Sequence, residues 1–432
     1  MADFEPAPSY YRASAREPAA WPELHGRRRL RVAVVGAGYA GIATALGLAE
    51  RGEREVALIE AGEVGHGASG RNGGFVFGGY SLDESALLQL CGAQDARALY
   101  GWTLDAVETI RRRVRQYRID CAMTEAGCLW VNWFDDPRVL YERQELLGRH
   151  FGVSWQYLDQ QARAALVQSP RYHDALFEPR AFHVHPLDLA RGQVRAAAAL
   201  GVRVYQHSPI VRIERRAGGG FCLHSARGQI EAEQVVLCAG GYLGRLVPAL
   251  RRAMLPIATY VMATAPLGER LARLVRTRAA IYDSRFAFDY YRVLADTRLI
   301  WGGGISIQHK DPATVRAHLR RDLARVFPDL ADAPIDYAWS GWMSYARHQM
   351  PQVGQLQPGL WYAQAFGGHG ITTTHAVGDR LAAAITDGDE EWRRLSRFGL
   401  DYAWRPLGYL GAQASYWWYQ AKDAWRSRVR RR

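Results

Sequence analysis

The stretch from residue 30 to residue 60 constrains this chain more than any other. Residues 30–35 form a short apolar run that ends at Gly36, as a strand buried on both faces reads. Gly36-Ala37-Gly38-Tyr39-Ala40-Gly41 follows, and residues 39–51 are Ala/Leu-rich and close on Gly52, the pattern of a helix with a glycine stop. Residues 56–59 predict a second strand, with Glu60 at its end, 24 residues beyond Gly36. Strand, glycine turn, helix, strand and terminal acid in that order make a dinucleotide-binding βαβ unit. Gly36 allows the tight turn, and Gly38 lets backbone approach a pyrophosphate at the positive helix end, beside Tyr39 and Ala40. Gly41 allows the helix to pack closely on the strand. Glu60, followed by Ala61, accepts hydrogen bonds from a ribose diol and would repel a 2′-phosphate, which disfavours NADP.

The next segment separates FAD from NAD. Eight glycines fall between Gly62 and Gly79. Within Gly67-Ala68-Ser69-Gly70-Arg71-Asn72-Gly73-Gly74, that density lets backbone amides pass close to a flat ligand, while Ser69, Arg71 and Asn72 offer bonds to phosphate or ring edges.

Further along, Leu99, Trp102, Val107, Ile110 and Val114 recur at helical spacing, predicting a long amphipathic helix over about residues 95–118. A strand is expected at 128–132, a second α/β patch from residue 186, and a hairpin across Gly218-Gly219-Gly220. An apolar strand over 235–238 leads into Ala239-Gly240. Residues 254–345 read as β-rich with one amphipathic helix (314–327), and a strand over 361–365 precedes Gly367-Gly368-His369-Gly370. The expected architecture is α/β (α+β). A Rossmann-like FAD-binding domain is assembled from residues 25–90, 186–250 and 345–388, with a β-rich substrate domain inserted as 91–185 and 251–344. A helical, basic and aromatic tail spans 389–432.

Composition narrows the function. With 48% hydrophobic and 23% charged residues, the chain is neither disordered nor collagen-like. Its five cysteines show no CxxC spacing, so neither a disulfide framework nor a metal site is expected. No signal-peptide pattern and no 18-residue apolar run occurs, which places the body in the cytoplasm as an expectation. The formal net charge is +12, and only Lys310 and Lys422 are lysines. Residues 390–432 carry nine Arg and one Lys against four acids, half of that excess, together with five Trp and four Tyr. Two readings stand for this tail: peripheral attachment to the inner membrane surface, or packing on the substrate domain with the last arginines solvated.

Taken together, residues 36–41, Glu60-Ala61, residues 67–74, Cys238-Ala239-Gly240 and Gly367-Gly368-His369-Gly370 resemble the glycine/D-amino-acid oxidase superfamily of flavoproteins. Ser9-Tyr10-Tyr11, Val184-His185-Pro186-Leu187, Phe288-Asp289-Tyr290-Tyr291-Arg292, Trp301-Gly302-Gly303-Gly304 and Met350-Pro351-Gln352 resemble its gamma-glutamylputrescine oxidase branch, with bacterial L-pipecolate oxidases in similar territory. The resemblance implies FAD-dependent removal of a hydride from the carbon beside an amine nitrogen, to flavin N5, giving an imine that water hydrolyses. Val211, Ala239, Gly240, His369, Gly370, Ile371 and Thr372 join the cofactor set. The last three, at an expected helix start, would stabilise negative charge on the reduced ring. His369 either adds a side-chain donor or caps the turn.

Two departures from the resembling proteins shape the expected chemistry. Sarcosine-type relatives tether FAD through a cysteine, where this chain has no thiol near Gly341, or through a histidine in the early glycine loop, where it has Arg71. Noncovalent FAD follows. Those relatives also meet O2 with a lysine, in a strand resembling residues 299–302, where none occurs here. That points to a dehydrogenase feeding a quinone or another electron carrier. For the substrate, Tyr260, Tyr290, Tyr291 and Trp342 form either an aromatic cage or core, and Arg292 and Arg347 either bind a carboxylate or lie at the surface. His369, Tyr291, Arg347 and Tyr260 are the catalytic candidates, and His183 and His185 read as structural. A small amine or imino acid resembling L-pipecolate is the expected substrate, with a gamma-glutamylputrescine-type oxidase using O2 as the alternative. A tRNA-modifying flavoprotein is the alternative class, although the basic tail carries no RNA-binding motif and no nucleic-acid partner is expected.

Overall fold

A computed structural model describes residues 8–16, 20–403 and 407–429. Two eight-stranded sheets organise the chain. In the first, Gly26–Val35 lies between Val56–Ile59 and Gly228–Leu237, and both neighbours run parallel to it. Leu360–Gln364 and Arg203–Tyr205 extend the parallel core on either side. These strands read as unbroken apolar runs because both faces are covered, one by helices and the other by Phe221, Leu223, Leu243, Leu250 and Met254: Val56–Ile59 is buried at every position. Tyr39–Glu50 covers one face together with Pro186–Ala199 and Gly370–Asp387. The expected hairpin forms from Arg212–Arg215 and Phe221–His224, hung antiparallel on Gly228–Leu237.

The second sheet runs in the order Ile335–Tyr345, Leu255–Thr264, Leu299–Ser306, Tyr290–Val293, Ala280–Asp283, Cys128–Val131, Ala175–Glu178, Gln156–Leu158. Ala280–Asp283 pairs parallel with Cys128–Val131. The other ladders are antiparallel. Pro312–Val326, capped by Asp311 on the Thr314 amide, covers its back with Val315, Leu319 and Leu323 fully buried. Strand residues therefore alternate between that apolar core and the opposite face, which looks into a cleft.

The long helix runs over Glu84–Gln116, starting well before residue 95. Asp83 caps it, and Gly92, at φ 76°, interrupts the helical backbone, so no continuous apolar period signals the first turns. The expected division at residue 90 puts this helix in the substrate domain. Buried Arg113 ties it instead to the first layer, donating to Glu50 of Tyr39–Glu50 and Asp379 of Gly370–Asp387.

Among the described residues no helix is long and apolar enough to cross a membrane. The tail forms the helix Leu407–Val429. Trp404 and Arg430 to Arg432, part of the expected surface-binding segment, lie outside the described residues.

Candidate active site

One cleft of about 2040 Å³ runs between the two sheets and collects most of the cofactor candidates. At its nucleotide end, Gly36 sits at φ 103°, where a Cβ would stand 2.8 Å from the Cys238 carbonyl oxygen. The Gly36 turn delivers the chain to the helix beginning at Tyr39, whose amide donates to Ser69 Oγ at 2.8 Å. A Cβ on Gly41 would lie 1.9 Å from the Gly36 carbonyl oxygen, so Gly41 sets the closeness of helix and strand from behind the cleft. Gly74 works in the same way at φ 81°, against the Val184 carbonyl. These two glycines shape the wall without lining it; the other cofactor candidates line it.

Glu60 is held at the end of its strand by the amides of Ala37 (2.7 Å) and Gly62 (2.9 Å). Burial pushes its carboxyl pKa upward, and those amides pull it back. The remaining carboxylate lone pairs lie in the cleft wall where a ribose diol would sit. Exposed Val211 lies at the outer end.

The glycine-rich loop is ordered by its own side chains. Asn72 donates to the carbonyls of Ala68 and Ser69 and accepts from the Gly74 amide, so it fixes the loop. Arg71 donates to the His66 carbonyl at 3.0 Å and to the Ser340 carbonyl at 3.3 Å, clamping the loop to the second sheet. The positions where resembling proteins carry a tether meet here, since a Cβ on Gly341 would lie 3.3 Å from that of Arg71.

At the far end, Gly370, Ile371 and Thr372 open an 18-residue helix whose first amides face the cleft. His369 precedes it and makes no capping bond. Its ring packs edge-on against Phe77 at 4.7 Å, and Nδ1 is buried without a hydrogen-bond partner. Burial, with the Arg143 charge adding, pushes its pKa down to about 4, so the imidazole is neutral near pH 7. A cradle shaped by glycine at both ends, two helix N-termini facing it, a terminal acid and an orphaned ring nitrogen fit an extended flavin dinucleotide.

Strand alternation corrects part of the substrate reading. Tyr290 and Trp342 line the cleft, and Arg347 stands exposed at its rim. Tyr291 points the other way, stacked on Trp301 at 4.5 Å in the apolar core. Tyr260 lies in that core too, donating to the Gln308 carbonyl at 3.0 Å. Neither Tyr291 nor Tyr260 reaches the reacting end, because each occupies the inward phase of its strand. Arg292 is spent as well, donating to the Gly73 and Val184 carbonyls behind the glycine loop. His183 contacts the Arg278 carbonyl at 2.9 Å and His185 caps Pro186–Ala199, so both rings are engaged within the fold.

A polar group that the sequence does not signal closes the cleft near His369. Phe77, Tyr282 and Phe288 line it, and Phe77 stacks on Tyr282 at 5.6 Å. Beyond them Arg143 lies against Trp130 (4.4 Å) and Trp155 (5.2 Å) and donates to Glu84 at 2.7 Å. Its Nε is buried without a partner, as are Tyr100 Oη and Glu178 Oε2 close by. Glu84 and Arg143 are 59 residues apart, and one arginine among so many carries no motif.

Glu178 offers a test of this buried group. Burial raises its pKa to about 7 from an ordinary 4.5, against the pull of the Gly78 amide and Arg143. Between those values the folded chain keeps a proton that the unfolded chain has lost. Stability therefore falls as pH rises through that window and is flat above it. Glu178→Gln should remove up to about 3 kcal/mol of that fall, so its melting temperature drops less between pH 5 and pH 8 than the wild type's. Parallel melting curves in thermal unfolding would contradict the assignment.

Comparison with known proteins agrees with this geometry. The family model described as DAO, FAD dependent oxidoreductase, matches residues 31–384. Gamma-glutamylputrescine oxidoreductase of Escherichia coli is 37% identical over 386 residues, 89% of each chain. The probable oxidoreductase OrdL of Haemophilus influenzae is 30% identical over 97% of each chain. Among solved structures, glycine oxidase from Geobacillus kaustophilus shares the fold, with a TM-score of 0.70 at 24% identity over 86% of this chain and 98% of its own. By its family match and these relatives, the chain belongs to the DAO family of FAD-dependent oxidoreductases.

Proposed function

We propose that this enzyme oxidises the C–N bond of a small amine or imino acid that carries a carboxylate, and passes the electrons to a respiratory carrier. The observation that carries the substrate reading is the aromatic end of the cleft, which terminates on Arg143 with an unpartnered Nε. A carboxylate completes that guanidinium's hydrogen bonding. Phe77, Tyr282 and Tyr290 enclose the carbon chain. The helix start at Gly370 presents amides to negative charge developing beside it. FAD, when bound, supplies the two-electron acceptor.

Two substrate shapes fit a carboxylate anchor. L-Pipecolate is the compact cyclic one. Glu84 beside Arg143 favours the other, an amine with an amino-acid head, because an acid and a cation together match a head bearing ammonium and carboxylate. The substrate in the name of the E. coli relative is of this kind.

Noncovalent FAD is supported by Arg71 and Gly341 occupying the two tether positions, and acid precipitation should leave the flavin in the supernatant. A carrier other than O2 is supported by the placement of both lysines. Lys310 lies over the Tyr260 ring at 5.1 Å on the core side, and Lys422 is exposed on the last helix. Reducing the holoenzyme anaerobically with substrate and then admitting air tests this. Reoxidation should be slow in air and fast with an added quinone; fast reoxidation by air would make it an oxidase.

A further inference from the structure

The last helix, Leu407–Val429, has two faces with different partners. Its inner face forms part of the cleft wall through Gly408, Ala412, Gln413, Tyr416 and Tyr419. Tyr416 is buried and accepts from the Ile305 amide at 3.3 Å, Tyr419 stacks on Phe286 at 4.3 Å, and Asp423 accepts from the Phe286 amide at 2.9 Å. The outer face is apolar. Leu407, Leu410, Ala414, Trp417, Trp418, Ala421 and Trp425 fall on one stripe at helical spacing, all exposed, with the leucines and indoles between 62% and 69%. The packing alternative for the tail is met on the inner face, and the outer face is left uncovered.

Charge on this helix has a direction as well. Asp423 is its one acid and is turned inward, whereas Lys422 is exposed beside the stripe. Arg428 belongs to the same helix, and the sequence continues Arg430-Arg431-Arg432. Indoles flanked by cations without an outward acid suit the headgroup layer of an anionic bilayer, where indole rings partition and each cation adds attraction. A second protein would need a complementary acidic, apolar groove.

We propose that the outer face of Leu407–Val429 docks on an anionic lipid surface and so holds the mouth of the active cleft against the bilayer. Because the docked helix is itself a wall of the cleft, docking brings the site beside the phase in which lipid-soluble quinones dissolve. That consequence rests on the quinone reading above; the docking does not.

The test uses the full-length holoenzyme. It should cosediment with vesicles of phosphatidylglycerol and phosphatidylcholine about tenfold or more better than with phosphatidylcholine alone, and salt should weaken the binding. The variant Trp417→Ser/Trp418→Ser/Trp425→Ser should lose about tenfold or more of it, while keeping its flavin content and its reduction by substrate with a soluble dye as acceptor. None of the three indoles lines the cleft. Failure of the wild type to sediment, or equal sedimentation of the variant, overturns the proposal. So does a concentration-dependent dimer in sedimentation velocity that the variant abolishes, which would assign the face to a second copy.

Discussion

Gly41→Val should leave the purified protein colourless, with less than about a tenth of the flavin bound by the wild type. A Cβ at this position would meet the Gly36 carbonyl oxygen at 1.9 Å, and backbone cannot give way as a side-chain tip can. The helix at Tyr39 must then retreat from the strand, taking with it the amides that face the pyrophosphate. Gly36→Ala should act in the same sense more mildly, combining a φ of 103° with a 2.8 Å approach to the Cys238 carbonyl. Gly52→Ala is the control. It also has a positive φ, 89°, but nothing lies within 4 Å of its Cβ, so it should cost about 1 kcal/mol of stability and no flavin. Flavin absorbance per chain after gel filtration reads all three. Full occupancy in Gly41→Val would remove the nucleotide cradle from this loop.

The second large effect falls on Arg143. Arg143→Gln should raise KM for a carboxylate-bearing amine about 10- to 100-fold, the worth of a charge-assisted hydrogen bond, and change kcat much less. An amine of similar length without the acid should show no such change, so the ratio of kcat/KM for the two collapses. That ratio is taken within one variant and is insensitive to a general loss of stability from leaving Glu84 unpaired. Arg143→Lys should recover only part of it, because an ammonium lacks the planar fork and the contact with the Trp130 ring. Equal losses for both amines would make Arg143 a structural residue.

What the sequence disclosed divides along a physical line. The nucleotide half is written in consecutive residues, since a tight turn, a close helix and a strand-end acid must fall at fixed spacing. The close packing at Gly36 and Gly41, the strand-end position of Glu60 and the helix start at Gly370 were therefore legible. The substrate half is built from residues that the second sheet brings together across long separations. Here a single phase decides everything. Tyr290 and Tyr291 are neighbours in the chain, yet one faces the cleft and the other stacks on Trp301. Strand alternation likewise leaves Thr259 in the cleft wall and Tyr260 in the core. Arg143 was out of reach because its helix, Arg138–Leu146, has no motif and becomes part of the site only when it packs beside the capped start of Glu84–Gln116. The tail's composition announced an amphipathic segment, but not that its polar and small residues would wall the cleft.

The most direct test of the central claim is anaerobic titration of the holoenzyme with paired amines that differ only in a carboxylate, followed by flavin absorbance. The account predicts full bleaching by L-pipecolate or by an amine with an amino-acid head, at concentrations about tenfold or more below those needed for the partner lacking the acid. Bleaching by neither member of any pair, or equal bleaching by both, would contradict it.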